Sequence, residues 1–242
     1  MKALITIPAA HKETAEECIK HIDEKFYKDI MLIDNTLNKD IGLELPIGYR
    51  ETPQGNIGVA RAWNLGVQKV IDKSYDFVIL LSASMIFNDG MNGFMKELEN
   101  NKDANGMATQ NGWHCIALNR KVFLQIGDFD TNFYPAYYED SDFIRRMELE
   151  GIHEPTGEKK LLSCTLDAYS SGIAHGMKKG GITMNIQACG SYFVEKWGNY
   201  PKYDSQESRD KLYKYPFNNS EFGLDYYPKR SIEELKLLYK LP

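Results

Sequence analysis

The chain has few cysteines, and they lack the spacing of a disulfide framework or a zinc site. Only four occur among 242 residues, and no two of them form a C-x-x-C pair. They are Cys18, Cys115, Cys164 and Cys189. Scattered thiols are typical of reduced cysteines in a cytosolic protein. We therefore expect a cytoplasmic protein whose stability comes from a buried core.

Long apolar runs and an excess of positive charge are also missing. The longest apolar stretch, Phe77–Leu81 followed by Met85–Phe87, is interrupted by Ser82 and Ser84. It is far shorter than the ~20 residues that a membrane span needs. The N-terminal apolar run is too short for a signal peptide. A net charge of -5 argues against a broadly basic surface that coats nucleic acid.

Three common motifs of nucleotide and metal sites are absent from the sequence. No G-x-G-x-x-G follows the first predicted strand, and the chain has neither a P-loop nor an H-E-x-x-H helix. These absences exclude the usual dinucleotide fingerprint, the P-loop NTPases and the common zinc proteases.

Periodicity predicts an α/β fold with a mostly parallel sheet. Continuous β-prone runs alternate with segments whose apolar residues recur at helical spacing. The predicted strands are Ala3–Ile7, Ile30–Ile33, Ile47–Thr52 and Asp76–Leu81, and the predicted helices are Glu13–Phe26 and Gly58–Ile71. This alternation favours a parallel sheet that is covered by helices on both faces, with right-handed crossovers.

Sheets of this class bind ligands beyond the carboxyl ends of their strands. The residues that follow the predicted strands are therefore candidates for binding a ligand. They are Pro8 and Ala9 after the first strand, Asp34 and Asn35 after the second, and Ser82 and Ser84 after the fourth.

Three carboxylates crowd the start of another predicted helix. Glu139, Asp140 and Asp142 follow an aromatic-rich loop. Like charges this close raise one another's pKa and resist burial. One interpretation is local, with Asp140 or Ser141 as the N-cap and the acids favoured by the helix dipole. The other is a functional site, and the spacing alone leaves both open.

A family resemblance joins this acidic block to two other segments. The run from Gly127 to Gly151, G-D-F-D…E-D-S-D-F…R…G, resembles a block of the family 2 glycosyltransferases. Asn119–Phe123 resembles the R-x-x-F that precedes this block, and Tyr192–Gly198 resembles the Y-F-x-x-K-W-G that follows it. The resemblance covers the chain from Met1 to about Gly198. It implies the GT-A fold, a Rossmann-like and mostly parallel central sheet, for residues 1–198, followed by an irregular C-terminal extension, 199–242.

The resemblance also implies a nucleotide site in the first half of the chain. Ile33–Asn35 is similar to the family's V-D-N strand end, which is suited to hydrogen-bond a base or ribose. The segment Asn56–Gly66 is similar to N-x-G-x-A-x-A-x-N-x-G, which places Asn56, Gly58 and Asn64 near the nucleotide and Arg61 near a phosphate. From the residues themselves, an Asx-turn at Asp34 and a solvated Arg61 are the alternatives.

The chain departs from the family where a metal would bind. Family members usually carry D-x-D after the fourth strand, and these carboxylates hold Mg²⁺ or Mn²⁺ against the pyrophosphate of the donor. This chain has Ser82-Ala83-Ser84 instead, and hydroxyls are weak ligands for hard cations. His175 resembles the family histidine that completes the metal shell or contacts phosphate. Lys178 and Lys179 are candidates to neutralise a diphosphate without a metal.

The resemblance implies an inverting transferase that moves a hexose or pentose from a nucleotide-diphosphate sugar to an acceptor hydroxyl. Asp140 becomes the candidate general base, and Glu139 is expected to orient the acceptor or to hold the base in place. Asp142 is expected to support the start of the helix and to contact the substrate, and Trp113 is expected to line the sugar pocket. The alternative from another class is a non-catalytic nucleotide- or sugar-binding protein that keeps the fold without D-x-D.

The C-terminal extension differs from the rest in composition. Tyr200 to Arg230 is rich in Tyr and Lys, and Ile232–Leu238 is predicted as a short helix. The extension is a candidate for shaping the acceptor groove or for forming a homo-oligomer. The acceptor itself stays open between a glycan, a small molecule and nucleic acid, the last suggested by the mixture of lysines and tyrosines.

Overall fold

The computed structural model describes residues 1–36, 41–109, 111–153, 155, 164–166, 186–201 and 209–241. A six-stranded sheet with the order β3-β2-β1-β4-β7-β6 forms its centre. The strands are β1 Ala3–Ala9, β2 Ile30–Asp34, β3 Tyr49–Glu51, β4 Phe77–Leu81, β6 Gly106–Thr109 and β7 Gly112–Asn119. β5 Met85–Phe87 and β8 Cys164–Leu166 form a separate antiparallel pair. The four strands β1 to β4 run parallel, whereas β7 and β6 are antiparallel to their neighbours.

Helices cover the two faces of this sheet. They are α1 Lys12–Lys20, α2 Val59–Asp72, α3 Asn92–Asn100, α4 Arg120–Ile126, α5 Glu139–Leu149, α6 Ile186–Trp197 and α7 Ile232–Tyr239. α1 and α3 pack against one face, and α2, α4 and α5 pack against the other. The predicted fold class, α/β with a mostly parallel sheet between helical layers, is therefore confirmed.

Several predicted boundaries change in the structure. β1 continues through Pro8 to Ala9, although the sequence predicts that Pro8 ends it. Pairing with β4 stops at Thr6, so a residue without an N–H is tolerated two positions later. The predicted helix Glu13–Phe26 ends at Lys20 and is followed by a 3₁₀ segment, Glu24–Asp29.

The described part of the C-terminal extension packs onto the rest of the chain. Leu235 and Tyr239 of α7 are buried in a third apolar cluster with Phe133, Phe193 and Trp197. Ser231 and Glu234 form a capping box that starts this helix close to the predicted position. In the residue ranges given above, none of the helices has the length and apolarity that a bilayer crossing needs.

A glycine sets the distance between α2 and the sheet. A Cβ at Gly66 would lie 2.2 Å from Oγ1 and 2.6 Å from Cγ2 of Thr6 in β1. Thr6 is fully buried in the sheet, so its side chain has little room to move away. The helix therefore packs this closely only because position 66 lacks a side chain.

We expect Gly66→Ala to lower the free energy of unfolding by about 1–3 kcal/mol through overpacking. Gly93→Ala is the matched control, because Gly93 is exposed in α3 and the same change there should be neutral or stabilising by up to ~1 kcal/mol. Chemical denaturation measures both. Equal effects of the two substitutions would contradict the close approach at Gly66.

Candidate active site

Four predicted site segments meet at one edge of the sheet. The parallel strands β1, β2 and β4 end there at Ala9, Asp34 and Leu81, and antiparallel β7 begins there with Trp113 and His114. The Asn35 N–H donates to the Ala9 carbonyl at 2.8 Å, and the Ser82 N–H donates to the His114 carbonyl at 2.8 Å. The chain thus builds a continuous polar rim at the position where sheets of this class bind ligands.

Asp34 uses both of its carboxylate oxygens to close its own loop. Oδ1 accepts from the Thr36 N–H at 3.0 Å and from its hydroxyl at 2.6 Å. Oδ2 accepts from the Ile41 N–H at 2.6 Å, and the side chain is buried. These hydrogen bonds form the Asx-turn that the sequence left open as the alternative. A nucleotide bound by Asp34 would have to share the carboxylate oxygens with this turn. The ligand role of Asp34 stays a prediction.

Asn35 and Asn56 connect the end of β2 to the start of α2. Asn35 Oδ1 accepts from the Ile57 N–H at 2.7 Å, and Asn56 Nδ2 donates to the Asn35 carbonyl at 2.7 Å. Asn56 Oδ1 accepts from the Gly58 N–H at 2.9 Å. These hydrogen bonds fix the backbone at the rim whether or not a ligand is bound.

The rest of the predicted nucleotide motif holds the loop that leads to the acids. Asn64 donates to the Phe129 carbonyl at 2.8 Å and accepts from the Phe129 N–H at 2.9 Å. Gly58 has a φ of 82°, and a Cβ there would lie 2.9 Å from the ring of Tyr134. The Val59 N–H donates to the Pro135 carbonyl at 2.8 Å. The motif therefore clamps the aromatic loop against α2, a role that its local pattern did not reveal.

Arg61 contacts the C-terminal extension. Its Nη2 donates to the Arg230 carbonyl at 2.8 Å, and burial lowers the pKa of its guanidinium. The side chain is partly buried, so it is not the solvated arginine of the alternative interpretation. Its predicted contact with a phosphate stays a prediction.

The acidic helix begins in a way that the sequence did not predict. α5 starts at Glu139 and is preceded by Tyr138, with no capping side chain. The prediction that Asp140 or Ser141 is the N-cap is wrong, because the helix begins earlier and Tyr138, two residues before Asp140, is the N-cap. Tyr137 and Tyr138 adopt φ values of 83° and 70°. Positive φ values strain the backbone of residues other than glycine. Such strain occurs most often at functional sites and persists only where the surrounding contacts fix the chain.

Glu139 is buried at the start of the helix. Its side chain is 6% exposed, and Oε2 has no hydrogen-bond partner among the described residues. Burial and the neighbouring charge of Asp140 raise the pKa of Glu139 to about 8. This carboxyl therefore has a strongly raised pKa, and it is set back from the surface.

Asp140 is partly exposed next to it. Burial raises the pKa of Asp140, whereas hydrogen bonds from Ser141 and the charge of His114 act in the opposite direction. Its Oδ1 accepts from the Ser141 N–H at 2.7 Å. Phe143, three residues further along α5, lies with its ring 6.1 Å from that of Trp113 at the start of β7, which brings the first turn of α5 to the strand-end rim. Asp140 thus combines a raised pKa with access from this edge.

Asp142 lies in a buried charge network. Its Oδ1 accepts from Lys196 Nζ at 2.7 Å and Trp197 Nε1 at 2.8 Å, and its Oδ2 accepts from Arg146 Nε at 3.0 Å. Burial opposes its ionisation, but Lys196 and Arg146 hold its pKa below the ordinary value. A substrate contact by Asp142, as the sequence predicted, would require this network to open. Its support of the acidic site is structural.

The same network includes Asp130 of the G-D-F-D run. Asp130 Oδ2 accepts from Lys196 Nζ at 2.9 Å and from the Tyr192 hydroxyl at 2.8 Å. Asp130, Asp142, Arg146 and Lys196 are all fully buried. Two sequence blocks of the family resemblance, Gly127–Gly151 and Tyr192–Gly198, therefore meet in this network. Their order along the chain gave no sign of this contact, because Lys196 follows Asp130 by 66 residues.

Trp113 forms part of the aromatic support behind the acids. Its ring lies 6.1 Å from the ring of Phe143 in α5 and 6.2 Å from that of Phe129, both edge to face. Trp113 is only partly buried. It therefore offers some ring surface at the rim, as the sequence predicted for a sugar pocket, and its contact with a sugar stays a prediction.

The residues at the position of D-x-D do not fit a divalent cation. The hydroxyls of Ser82 and Ser84 hydrogen-bond to each other at 2.7 Å, and Ser84 is buried. Mg²⁺ and Mn²⁺ prefer carboxylate oxygens, and the described ranges contain no group of three His, Cys, Asp or Glu side chains arranged for a metal. His175, Lys178 and Lys179 lie outside the described residues.

We expect Lys196→Met to lower the free energy of unfolding by about 3–5 kcal/mol, because it leaves Asp130 and Asp142 buried without their shared cation. Lys20→Met is the control, since Lys20 pairs with Glu16 at 3.1 Å on the surface and should contribute about 1 kcal/mol or less. Urea denaturation compares the two. Similar losses would mean that the buried network contributes little.

Comparison with known proteins supports the fold. No family model and no curated protein sequence matches the chain. The catalytic domain of Drosophila β1,4-galactosyltransferase 7, in complex with xylobiose, is similar with a TM-score of 0.50 and 13% identity over 95% of this chain and 85% of that one. At this identity the likeness concerns the fold alone. It confirms the predicted GT-A glycosyltransferase fold.

Two further solved structures have lower scores. Staphylococcus aureus TarS 1-349 in complex with UDP has a TM-score of 0.49 and 11% identity over 67% of this chain. The mannosyltransferase PcManGT from Pyrobaculum calidifontis, in complex with GDP-Man and Mn²⁺, has a TM-score of 0.48 and 13% identity over 66% of it. The chain spans 60% of the TarS chain and 55% of the PcManGT chain.

Proposed function

We propose that the chain is a glycosyltransferase that takes a sugar from a nucleotide-diphosphate donor. The observation that carries this proposal is Asp140, a partly exposed carboxylate with a raised pKa beside the strand-end rim. A general base must be accessible and must have a proton affinity closer to neutrality than a free aspartate. The GT-A fold, in turn, favours a nucleotide sugar as the substrate at this rim.

The proposed reaction is a single displacement that inverts the anomeric carbon. The acceptor hydroxyl loses its proton to Asp140 while its oxygen forms a bond to the anomeric carbon. The bond from that carbon to the phosphate oxygen breaks, and the nucleoside diphosphate leaves with the electron pair. The transferred group is a hexose or a pentose. The base needs a position on the acceptor side, opposite the leaving group.

The acceptor in this proposal is a glycan or a small molecule, bound against the aromatic residues next to Asp140. Trp113 and Tyr137 are partly exposed and flank the acid. Aromatic rings offer large apolar faces on which a sugar ring can pack. The proposal places the enzyme in the cytoplasm, and self-association and nucleic-acid binding through the extension remain further predictions.

For charge compensation, the proposal relies on cationic side chains. Ser82 and Ser84 are occupied with each other and carry no charge. His175, Lys178 and Lys179 are the sequence's candidates for facing the diphosphate, and lysines bind phosphate as point charges. Preorganised positive charge is the main way to stabilise such a leaving group.

We expect Asp140→Asn to keep the fold and to lower the transfer rate by at least about 10²-fold, because the amide cannot accept the hydroxyl proton. A panel of nucleoside-diphosphate sugars with release of the nucleoside diphosphate as the readout measures this. Asp128→Asn is the control. Asp128 is a partly buried aspartate in the loop that precedes α5, and the charges of Arg146, Lys229 and Asp225 act on it. Near-normal turnover by Asp140→Asn would remove it from the role of base.

We also expect transfer to continue in the presence of a strong chelator, since the residues after β4 are poor ligands for a hard cation. The measurement is the rate with chelator and with added Mn²⁺, on protein first freed of metal by dialysis. Complete loss of activity, restored by Mn²⁺, would show that a cation is used after all.

A non-catalytic binding protein is the second candidate, and the replacement of D-x-D by Ser82-Ala83-Ser84 favours it. The pair Glu139 and Asp140 opposes it, because a protein that only binds has no need of two adjacent acids with raised pKa values. Slow hydrolysis of a bound donor in the absence of acceptor separates the two. Stabilisation by a nucleotide sugar, with no turnover of any donor, would favour the binding protein.

A further inference from the structure

Glu139 and Asp140 are consecutive acids that occupy different environments. Glu139 is 6% exposed, and its Oε2 has no hydrogen-bond partner among the described residues. Asp140 is partly exposed and accepts hydrogen bonds from Ser141 at 2.7 Å and 3.3 Å. One carboxyl is therefore buried and only partly satisfied, and its neighbour is accessible and better hydrogen-bonded.

Among the residues that the structure describes, the titratable groups around this pair supply little positive charge. Burial raises the pKa of Tyr137 in the preceding loop and of Cys189 in α6, and the charge of Glu139 acts on both in the same direction. Asp140 faces Tyr138 and, from β7, His114. In the described part of the chain, no lysine or arginine forms an ion pair with either carboxylate, unlike Asp142 in the same helix.

Two adjacent carboxylates in such surroundings cannot both be charged without a large cost. Desolvation penalises each negative charge, and each charge penalises the other. A single proton on the pair removes both penalties. Glu139 is the better place for it, because its burial and its unpartnered Oε2 oppose the charge more than the backbone N–H groups of Tyr137 and Glu139 favour it. The Ser141 hydrogen bonds and His114 favour the charge on Asp140.

We propose that the Glu139 carboxyl is protonated at neutral pH and serves as an uncharged positioning residue beside an ionised Asp140. The pair then carries one negative charge, which stays on the accessible acid. The raised pKa of Glu139, about 8, agrees with this assignment. The inference deepens the proposed function, on which its kinetic consequence rests, but the protonation state itself does not depend on any reaction.

The first test is thermal unfolding of the wild type and Glu139→Gln between about pH 5 and pH 9. The pKa of Glu139 is higher in the folded state than in the unfolded chain. The unfolded chain therefore loses this proton first, and wild-type stability falls as the pH rises between the two values. Glutamine lacks this linkage. The Tm of Glu139→Gln minus the Tm of the wild type should therefore increase by at least about 4 °C between pH 5 and pH 8.5.

Glu13→Gln is the matched control, because Glu13 is exposed in α1. Its Tm difference from the wild type should stay constant over the same pH range. A difference for Glu139→Gln that is equally constant, or that shrinks as the pH rises, would overturn the proposal.

A second measurement needs no variant and covers the case in which Glu139→Gln does not fold. Protein with ¹³C at the glutamate carboxyl carbons is titrated by NMR. One resonance should report a proton lost near pH 8, well above the range of ordinary glutamates. If every glutamate carboxyl titrates below about pH 6, Glu139 is ionised at neutral pH and the proposal fails.

The kinetic test separates this inference from the proposed function. Glu139→Gln should lose an alkaline decline of the rate near pH 8 that the wild type shows, because glutamine has no proton to release there. A loss of about 10²-fold at pH 7 would mean that the charge of Glu139 is needed. If no donor is used by the wild type, the proposed function fails, while the unfolding and NMR results still decide the protonation state.

Discussion

The buried pairing of Lys196 with Asp130 and Asp142 is the interaction on which the candidate site depends. One ammonium joins the loop after α4, the first turn of α5 and the end of α6, and Arg146 supplies the second positive charge. Two cations balance two carboxylates, so the network is neutral in a fully desolvated place. Removing any one member would leave an unpaired charge there, which is the costly outcome for a buried ion pair.

This network fixes the loop that precedes α5 and therefore the direction in which its acids point. Asp130 and Asp142 hold the loop at its two ends. Asn64 binds the backbone of Phe129 next to Asp130, and the Val59 N–H at the start of α2 binds the Pro135 carbonyl between the two ends. These contacts hold the chain on both sides of Tyr137 and Tyr138, which stabilises their strained backbone conformation. Asp140 therefore lies on a segment whose position these contacts fix, which its proposed role as a general base requires.

The three acids illustrate how position on a helix decides the behaviour of chemically similar groups. Successive residues of a helix point about 100° apart, so neighbours in sequence meet different surroundings. Asp142 faces two cations and is ionised in the core. Glu139 faces a thiol and aromatic rings, and its pKa rises. Asp140 faces the rim and His114. One cluster in the sequence becomes a structural charge, a buried perturbed acid and an accessible carboxylate.

The family-like motifs of the first half describe contacts within the fold as much as a ligand site. Asn56, Asn64 and Gly58 satisfy backbone groups or make room for the aromatic loop. Gly66 makes room for Thr6.

The sequence by itself determined the alternation of buried strands and amphipathic helices, the rim where the strands end, and the block of acids. Periodicity and local propensity act over a few residues, so the strand β4 and the helix α2 were predictable within about two positions. The order of the added antiparallel strands, the start of α5 at Glu139 and the separate environments of the acids were decided only by the tertiary structure. Each depends on residues far apart in the chain, above all on Lys196 reaching Asp130 and Asp142, and burial and charge pairing of that kind have no local signal.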